Sequence, residues 1–210
     1  MLRLATPLAA TVLAGCITTG AAPVAPTELS RAERISILQG CQPRLSDAVL
    51  NDDRSWTLGA DQGENHDALW AAFDERPPEA PARIRIYMSA VHHTRTEWST
   101  VATRGDDGVW HVAVRGRTSS GLLSIDPRLE PPQSWALSAI RSAALTSLVD
   151  DPCVAAEPSY VADLRLPPNP GSGGWTLEIQ TPRLTRQASG YNGWHGQSTL
   201  VADLLYADQP

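Results

Sequence analysis

The chain has 210 residues, of which 42% are hydrophobic and 19% charged, a balance typical of a globular protein rather than a disordered one. Its formal net charge is −6 and its isoelectric point is about 5.3, whereas nucleic-acid-binding proteins are usually basic, so we expect no nucleic-acid partner. All 17 basic residues are arginines, which excludes chemistry that needs a lysine, such as Schiff-base formation or a P-loop.

Residues 1–15 have the three-part pattern of a secretory signal peptide. Arg3 supplies a positive charge, the apolar run 4–13 follows it, and small residues precede Cys16. The apolar run has about ten residues, whereas a helix needs ~20 to cross a membrane. The pattern therefore predicts an export signal and not a membrane span.

Residues 13–16, of sequence Leu-Ala-Gly-Cys, resemble the lipobox of bacterial lipoproteins. The resemblance covers residues 1–16 and implies that the Cys16 thiol receives a diacylglycerol, that residues 1–15 are removed and that the new amino group is acylated. Two or more acyl chains form a stable membrane anchor. Ile17 rather than Asp follows the cysteine, which in this family favours the outer membrane, with the domain in the periplasm, over the periplasmic face of the inner membrane. The alternative is an ordinary signal peptide in which Cys16 has no function.

The chain contains three cysteines. With Cys16 lipidated, two cysteines remain in an oxidising compartment, Cys41 and Cys153, and we expect a disulfide between them. In the chain-entropy model such a bond contributes about 4–5 kcal/mol. Two buried thiols, or one reactive thiol, are the alternatives.

Residues 16–29 are predicted to be a flexible tether, and residues 30–210 a single globular domain. At the start of the domain, Ser30 and Glu33 fit a capping box for a short helix that stops at Gly40. Residues 42–64 are rich in turn-forming residues, with a short strand around Trp56. A helix capped by Asn65 is expected over residues 66–73.

Alternation of apolar and polar residues is the clearest pattern in the middle of the chain and predicts strands with one buried face. It runs through residues 83–90, 97–103 and 109–115, and a tight turn at 104–108 joins the last two strands. Further strands are predicted at 122–125, 160–166 and 175–179, with a weaker candidate at 184–189.

Two helices are predicted in the second half of the chain. Ser134 is expected to cap the longer one, residues 135–149, which follows a linker at 127–132, and Ser198 to cap the last one. The apolar stripe of the longer helix consists of Leu137, Ile140, Ala144 and Leu148. The pattern as a whole predicts an α+β fold, with an antiparallel sheet of about six strands and two or three helices packed on one face.

The glycine-rich loop 190–196 is the candidate binding site. Three of the seven tryptophans, Trp98, Trp110 and Trp175, follow the apolar faces of their strands, which places them in the core. The aromatic residues of the loop follow no such pattern, and aromatic rings are common platforms for sugars and partner surfaces. Packing over the core is the alternative. The residues expected to contact an envelope protein or a glycan are Tyr191, Asn192, Trp194 and His195.

The sequence gives little indication of catalysis. His195, Ser198 and Asp203 have the residue types of a triad, but Asp203 belongs to the adjoining helix rather than an orienting position. His92 and His93 are neighbours on a strand, whose side chains alternate in direction, so we expect no metal site and no cofactor. The sequence predicts a lipid-anchored periplasmic protein with a non-catalytic binding or accessory role. The alternative is a periplasmic hydrolase that uses His195 or His111.

Overall fold

The computed structural model describes residues 29–57, 63–91, 94–120, 125–161, 173–191 and 195–210. Several of the predicted features lie outside these residues. They are the signal peptide, Cys16 and almost all of the tether, His92 and His93, residues 122–124 and 162–166 of two predicted strands, and Asn192 and Trp194 of the loop.

In the described part of the chain, three α-helices and a 3-10 helix come first, five strands follow, and then two helices, three strands and a last helix. The helices are α1 (Arg31–Leu38), α2 (Asp47–Asn51), α3 (Gly63–Ala71), α4 (Ala139–Val149), α5 (Pro152–Ala156) and α6 (Gln197–Tyr206), and a 3-10 helix covers Asp53–Trp56. The strands are β1 (Arg83–Val91), β2 (Thr94–Arg104), β3 (Trp110–Ser120), β4 (Ile125–Leu129), β5 (Gln133–Ala136), β6 (Tyr160–Val161), β7 (Gly174–Gln180) and β8 (Thr185–Tyr191).

The strands form one eight-stranded sheet in the order β4-β3-β2-β1-β7-β8-β6, and β5 also pairs with β3. The pairs are antiparallel, apart from the short parallel pair of β6 with β8. The predicted α+β fold with an antiparallel sheet is therefore confirmed. Strand β4 begins at Ile125, the last residue of the predicted strand 122–125, and continues into the predicted linker 127–132. Strand β5 includes the first two residues of the predicted helix 135–149.

The strand register brings the apolar side chains onto one face of the sheet. Ile84 is opposite both Ala102 of β2 and Ile179 of β7, and Ile86 is opposite Leu177. Burying such a side chain contributes roughly 1.5–3 kcal/mol. Helices α4, α5 and α6 cover this face, and their core residues are Leu145, Val149, Val154, Val201 and Leu205.

The opposite face of the sheet is polar, and α3 covers part of it. Leu69 and Trp70 of α3 are buried. Trp70 Nε1 donates to Ser99 Oγ of β2 at 2.8 Å, and His66 Nδ1 lies 2.7 Å from the same oxygen. The predicted helix is therefore present, but it begins at Gly63 and contains Asn65 instead of being capped by it.

The prediction for the helix over residues 135–149 was wrong at its start and in its buried face. Trp135 lies in β5, opposite Val112 of β3, and the cap is Ser138, whose hydroxyl accepts from the Arg141 backbone N–H. Helix α4 therefore begins at Ala139. Ile140 is 83% exposed, and the buried residues of α4 are Ser142, Leu145 and Val149.

The start of α1 and strand β8 agree with the sequence predictions, whereas the segment around Trp56 does not. The capping box of Ser30 and Glu33 is confirmed, and the weaker strand candidate is confirmed as β8. The strand around Trp56 was wrong, because Asp52 accepts from the Arg54 backbone N–H and starts a 3-10 helix there. Among the described residues, we find no helix with the length and apolar character needed to cross a membrane.

Cys41 and Cys153 are joined by a disulfide, with their Cα atoms 5.8 Å apart, which confirms the predicted pairing. Cys41 follows α1, and Cys153 lies inside the short helix α5. The bond therefore ties the start of the described chain to the segment that precedes β6. A small apolar cluster surrounds it, made of Leu38, Leu45, Leu50 and Ala156.

Candidate functional site

The structure describes both ends of the predicted binding loop. Strand β8 ends at Tyr191, whose backbone is described, and His195 is half-buried just before α6. At the first end, Gly190 packs against Trp175 of β7 so closely that a Cβ atom at residue 190 would stand 2.6 Å from the indole ring. The indole thus fixes the position of the backbone where the loop begins.

The buried carboxylate of Glu157 holds the other end of the loop. The Gln197 backbone N–H donates to Oε1 at 2.6 Å, and Ser198 Oγ donates to Oε2 at 3.2 Å. The prediction that Ser198 caps α6 was wrong, because the residue before the helix is Gly196 and no side chain at that position caps it. Glu157 instead supplies the acceptor that the free N–H groups of the helix need.

Two arginines surround Glu157 and tie it to neighbouring elements. Arg186 of β8 lies 3.5 Å from Glu157 Oε2 and donates to the Pro158 carbonyl at 2.9 Å, while Arg34 Nε of α1 donates to the Ala156 carbonyl at 3.0 Å. Burial raises the pKa of Glu157, although Arg186 and the bonds from residues 197 and 198 oppose this. Burial also lowers the pKa of Arg186 to about 10, against the attraction of Glu157. The cluster connects α1, α5, β8 and α6.

A cleft of about 560 Å³ opens beside this cluster. Arg34 and Arg186 reach its wall, together with the apolar side chains of Leu29, Ile37 and Leu184. Leu29, which precedes α1, is therefore part of the wall of this cleft.

Ser198 and Asp203, which with His195 have the residue types of a triad, do not lie on the same face of α6. Ser198 is buried against Glu157, whereas Asp203 is exposed. Residues five apart on an α-helix differ by about 140° in direction, so the two side chains lie on different faces. His111 is exposed on the polar face of the sheet, next to the turn at Gly105.

A second polar cluster, which none of the sequence motifs indicates, centres on Glu97 of β2. Glu97 is only 2% exposed, although it lies on the polar face of the sheet. Its carboxylate accepts from the Tyr87 hydroxyl, from Arg95 Nη2 at 3.0 Å and from Arg117 Nε at 2.6 Å. These residues meet because Glu97 is opposite Arg117 of β3, while Tyr87 lies on the neighbouring strand β1.

The charges in this cluster determine the ionisation of its members. Burial opposes the charge of Glu97, but the bonds from Arg117 and Tyr87 and the charges of Arg117 and Arg95 outweigh it and lower its pKa. Burial, with the bond to Glu97 and its charge, raises the pKa of Tyr87 to about 12. At neutral pH the cluster therefore contains one carboxylate, one neutral phenol and two guanidinium groups.

More arginines line the same face of the sheet. Arg83 and Arg85 of β1 lie near Glu178 of β7, at 3.3 and 3.9 Å, and Arg115 of β3 pairs with Glu75 and lies over the Trp70 ring. The alternation that places apolar residues inside also places these arginines together on the polar face. Arginine at alternate positions of several strands was the sequence signal that could have revealed this face.

No protein-family model, curated protein or solved structure matches this chain. Within the described ranges, no group of three or more His, Cys, Asp or Glu side chains is arranged to hold a metal ion.

Proposed function

We propose that the protein is a lipid-anchored periplasmic lipoprotein that acts by binding rather than by catalysis. The disulfide between Cys41 and Cys153 is the observation that carries the periplasmic location in this proposal. Disulfides persist in oxidising compartments and are rare in the cytosol, so the bond supports export. It also uses two of the three cysteines, which leaves Cys16 of the lipobox-like sequence for acylation.

The length of the tether keeps the domain close to the membrane. Fully extended, the segment from Cys16 to Leu29 spans at most about 50 Å. We place the anchor in the outer membrane, on the identity of Ile17, with the periplasmic face of the inner membrane as the alternative. The domain would then act on components within reach of that surface.

We propose that the loop 190–196 contacts an envelope protein or a glycan through Tyr191, Asn192, Trp194 and His195. The fixed ends of the loop support this proposal. Trp175 lies against its first residue, Gly190, and Glu157 binds the backbone that follows it. Fixed ends lower the conformational entropy that a loop loses when it binds a partner.

Membrane fractionation of a bacterium that expresses the full chain tests the anchor. The unaltered protein should remain with the membranes until detergent is added, and the Cys16→Ser variant should appear in the soluble periplasmic fraction. The double variant Cys41→Ser/Cys153→Ser is the matched control, because it loses two cysteines and keeps Cys16. If the Cys16→Ser variant stays with the membranes as the unaltered chain does, the proposed anchor is wrong.

Crosslinking in intact cells tests the binding loop. We expect Trp194→Ala to abolish a crosslinked species that the unaltered chain forms, because the loop loses its largest contact surface. His111→Ala is the control, since His111 is exposed but lies on β3, outside the loop. Equal crosslinking by both variants would show that the loop does not form the contact.

A further inference from the structure

Two buried polar atoms that have no hydrogen-bond partner among the described residues belong to a residue pair on the polar face of the sheet, Arg95 of β2 and Ser119 of β3. Ser119 of β3 is opposite Arg95 of β2, and the Cβ atoms of such pairs are about 4.5–5.5 Å apart. Ser119 is 3% exposed. Within the described part of the chain, neither its Oγ nor the Arg95 Nε has a hydrogen-bond partner. Because buried polar groups are nearly always bonded, these two donors suit an acceptor supplied by a ligand.

The neighbouring charges favour an anion at this place. Arg95 and Arg117 share a single carboxylate, Glu97, so the three side chains together carry a net positive charge. The side chains of Arg95 and Arg117 are still 36% and 28% exposed, whereas that of Glu97 is 2% exposed. A ligand that approaches this face therefore meets guanidinium groups, with the carboxylate underneath them.

Glu97 also fixes the direction of the two arginines. It accepts from Arg95 Nη2 and from Arg117 Nε, and the Tyr87 hydroxyl bonds to the same carboxylate. Arginines held in this way lose less side-chain entropy when they bind a ligand. Their remaining N–H groups suit an acceptor with several oxygen atoms.

We propose that Arg95, Arg117 and Ser119 form a binding site for an oxyanion, that is, a carboxylate or phosphate group of a ligand. The Arg95 Nε–H and the Ser119 hydroxyl donate to its oxygen atoms, and the two guanidinium groups balance its charge. This site lies on the polar face of the sheet and does not depend on the lipid anchor or on the loop 190–196.

Thermal unfolding of the detergent-solubilised full chain tests this site. Sodium phosphate and sodium acetate are each compared with sodium chloride at equal ionic strength. A ligand that binds only the folded state raises the melting temperature, and the rise continues to grow with concentration. We expect such a rise with phosphate or acetate relative to chloride.

Two conservative variants separate the site from a general salt effect. Ser119→Ala removes only the unpartnered hydroxyl, so it should melt at or above the unaltered chain in chloride and lose the response to the anion. Arg95→Lys keeps the positive charge beside Glu97 but has no Nε–H, and should weaken anion binding at least threefold. Thr118→Ala, on the other face of β3, is the control and should respond as the unaltered chain does.

The outcomes also distinguish two sources of the ligand. If Cys16→Ser protein sediments with phosphatidylglycerol vesicles and Cys16→Ser/Ser119→Ala protein does not, the ligand is a lipid headgroup. If both proteins stay in solution while phosphate still raises the melting temperature, the ligand is a free anion. No rise with phosphate or acetate, or an equal rise in Ser119→Ala protein, which means an adventitious ion only, overturns the proposal.

Discussion

Glu157 occupies the space that a side chain at residue 196 would need. A Cβ atom on Gly196 would overlap Glu157 Oε1, the atom that accepts from the Gln197 backbone N–H. The acceptor at the start of α6 is thus contributed by a residue 40 positions away in the sequence. This contact ties the last helix to the segment that carries the disulfide.

We predict that Gly196→Ala lowers the free energy of unfolding by more than about 2 kcal/mol, because the side chain meets Glu157 and because φ at this residue is 56°. Gly40→Ala is the control, since its nearest neighbour would be the Ile37 carbonyl oxygen at 3.6 Å. Chemical denaturation measures both. Similar stability of the two variants would contradict the contact.

The disulfide should stabilise the domain strongly. We expect Cys41→Ala/Cys153→Ala to lower the free energy of unfolding by about 2–5 kcal/mol, because the bond between residues 112 positions apart restricts the unfolded chain. Denaturation of the unaltered chain with and without a reductant should give a similar difference. Cys16→Ser should unfold like the unaltered chain in both conditions, and a response to reductant that depends on Cys16 would argue against this pairing.

Glu97 should make the stability of the protein depend on acid pH. Its pKa is lowered in the folded state, so its contribution is complete above the ordinary value of 4.5 and is lost as the pH falls through the lowered pKa. We expect Glu97→Gln to lower the free energy of unfolding by about 1–3 kcal/mol at pH 7 and by less at pH 3. Asp203→Asn, on the exposed face of α6, should show no such change. The prediction is wrong if the free energies of unfolding of Glu97→Gln and the unaltered chain differ by the same amount at pH 7 and pH 3.

The buried face of α4 can be tested by two truncations. Leu145 is fully buried, so Leu145→Ala should lower the free energy of unfolding by about 2–5 kcal/mol. Ile140 is 83% exposed, so Ile140→Ala should change the same quantity by less than about 0.5 kcal/mol. A larger loss of unfolding free energy in Ile140→Ala than in Leu145→Ala would contradict this burial and would favour the apolar stripe predicted from the sequence.

The strands of the central sheet could be predicted from the sequence because their period of two is carried by strongly apolar residues. Ile84 and Ile86 alternate with arginines in β1, and Leu177 and Ile179 alternate with polar residues in β7. One buried face per strand is a local property, and it needs no knowledge of the neighbours.

The start of α4 could not be predicted in this way. Ser134 and Ser138 both suit a helix cap, and the choice between them depends on the pairing of Trp135 with Val112, which is a long-range contact. That pairing takes residues 133–136 into β5. The helix that remains begins later and turns Ile140 towards solvent.

The burial of Glu97 also depends on long-range contacts. A glutamate among the polar positions of a strand indicates a solvated face, and its burial here requires Tyr87 and Arg117 from the adjacent strands. The sequence contains all these residues. The strand register that places them around one carboxylate cannot be read from the sequence.

The mass of the intact protein purified from bacterial membranes is the most direct test of the proposed anchor. A chain that begins at Cys16 should carry a diacylglycerol, with or without an acyl group on its new amino terminus, and a disulfide between Cys41 and Cys153. A chain that retains residues 1–15, or that has an unmodified thiol at Cys16, would contradict the proposed lipid anchor.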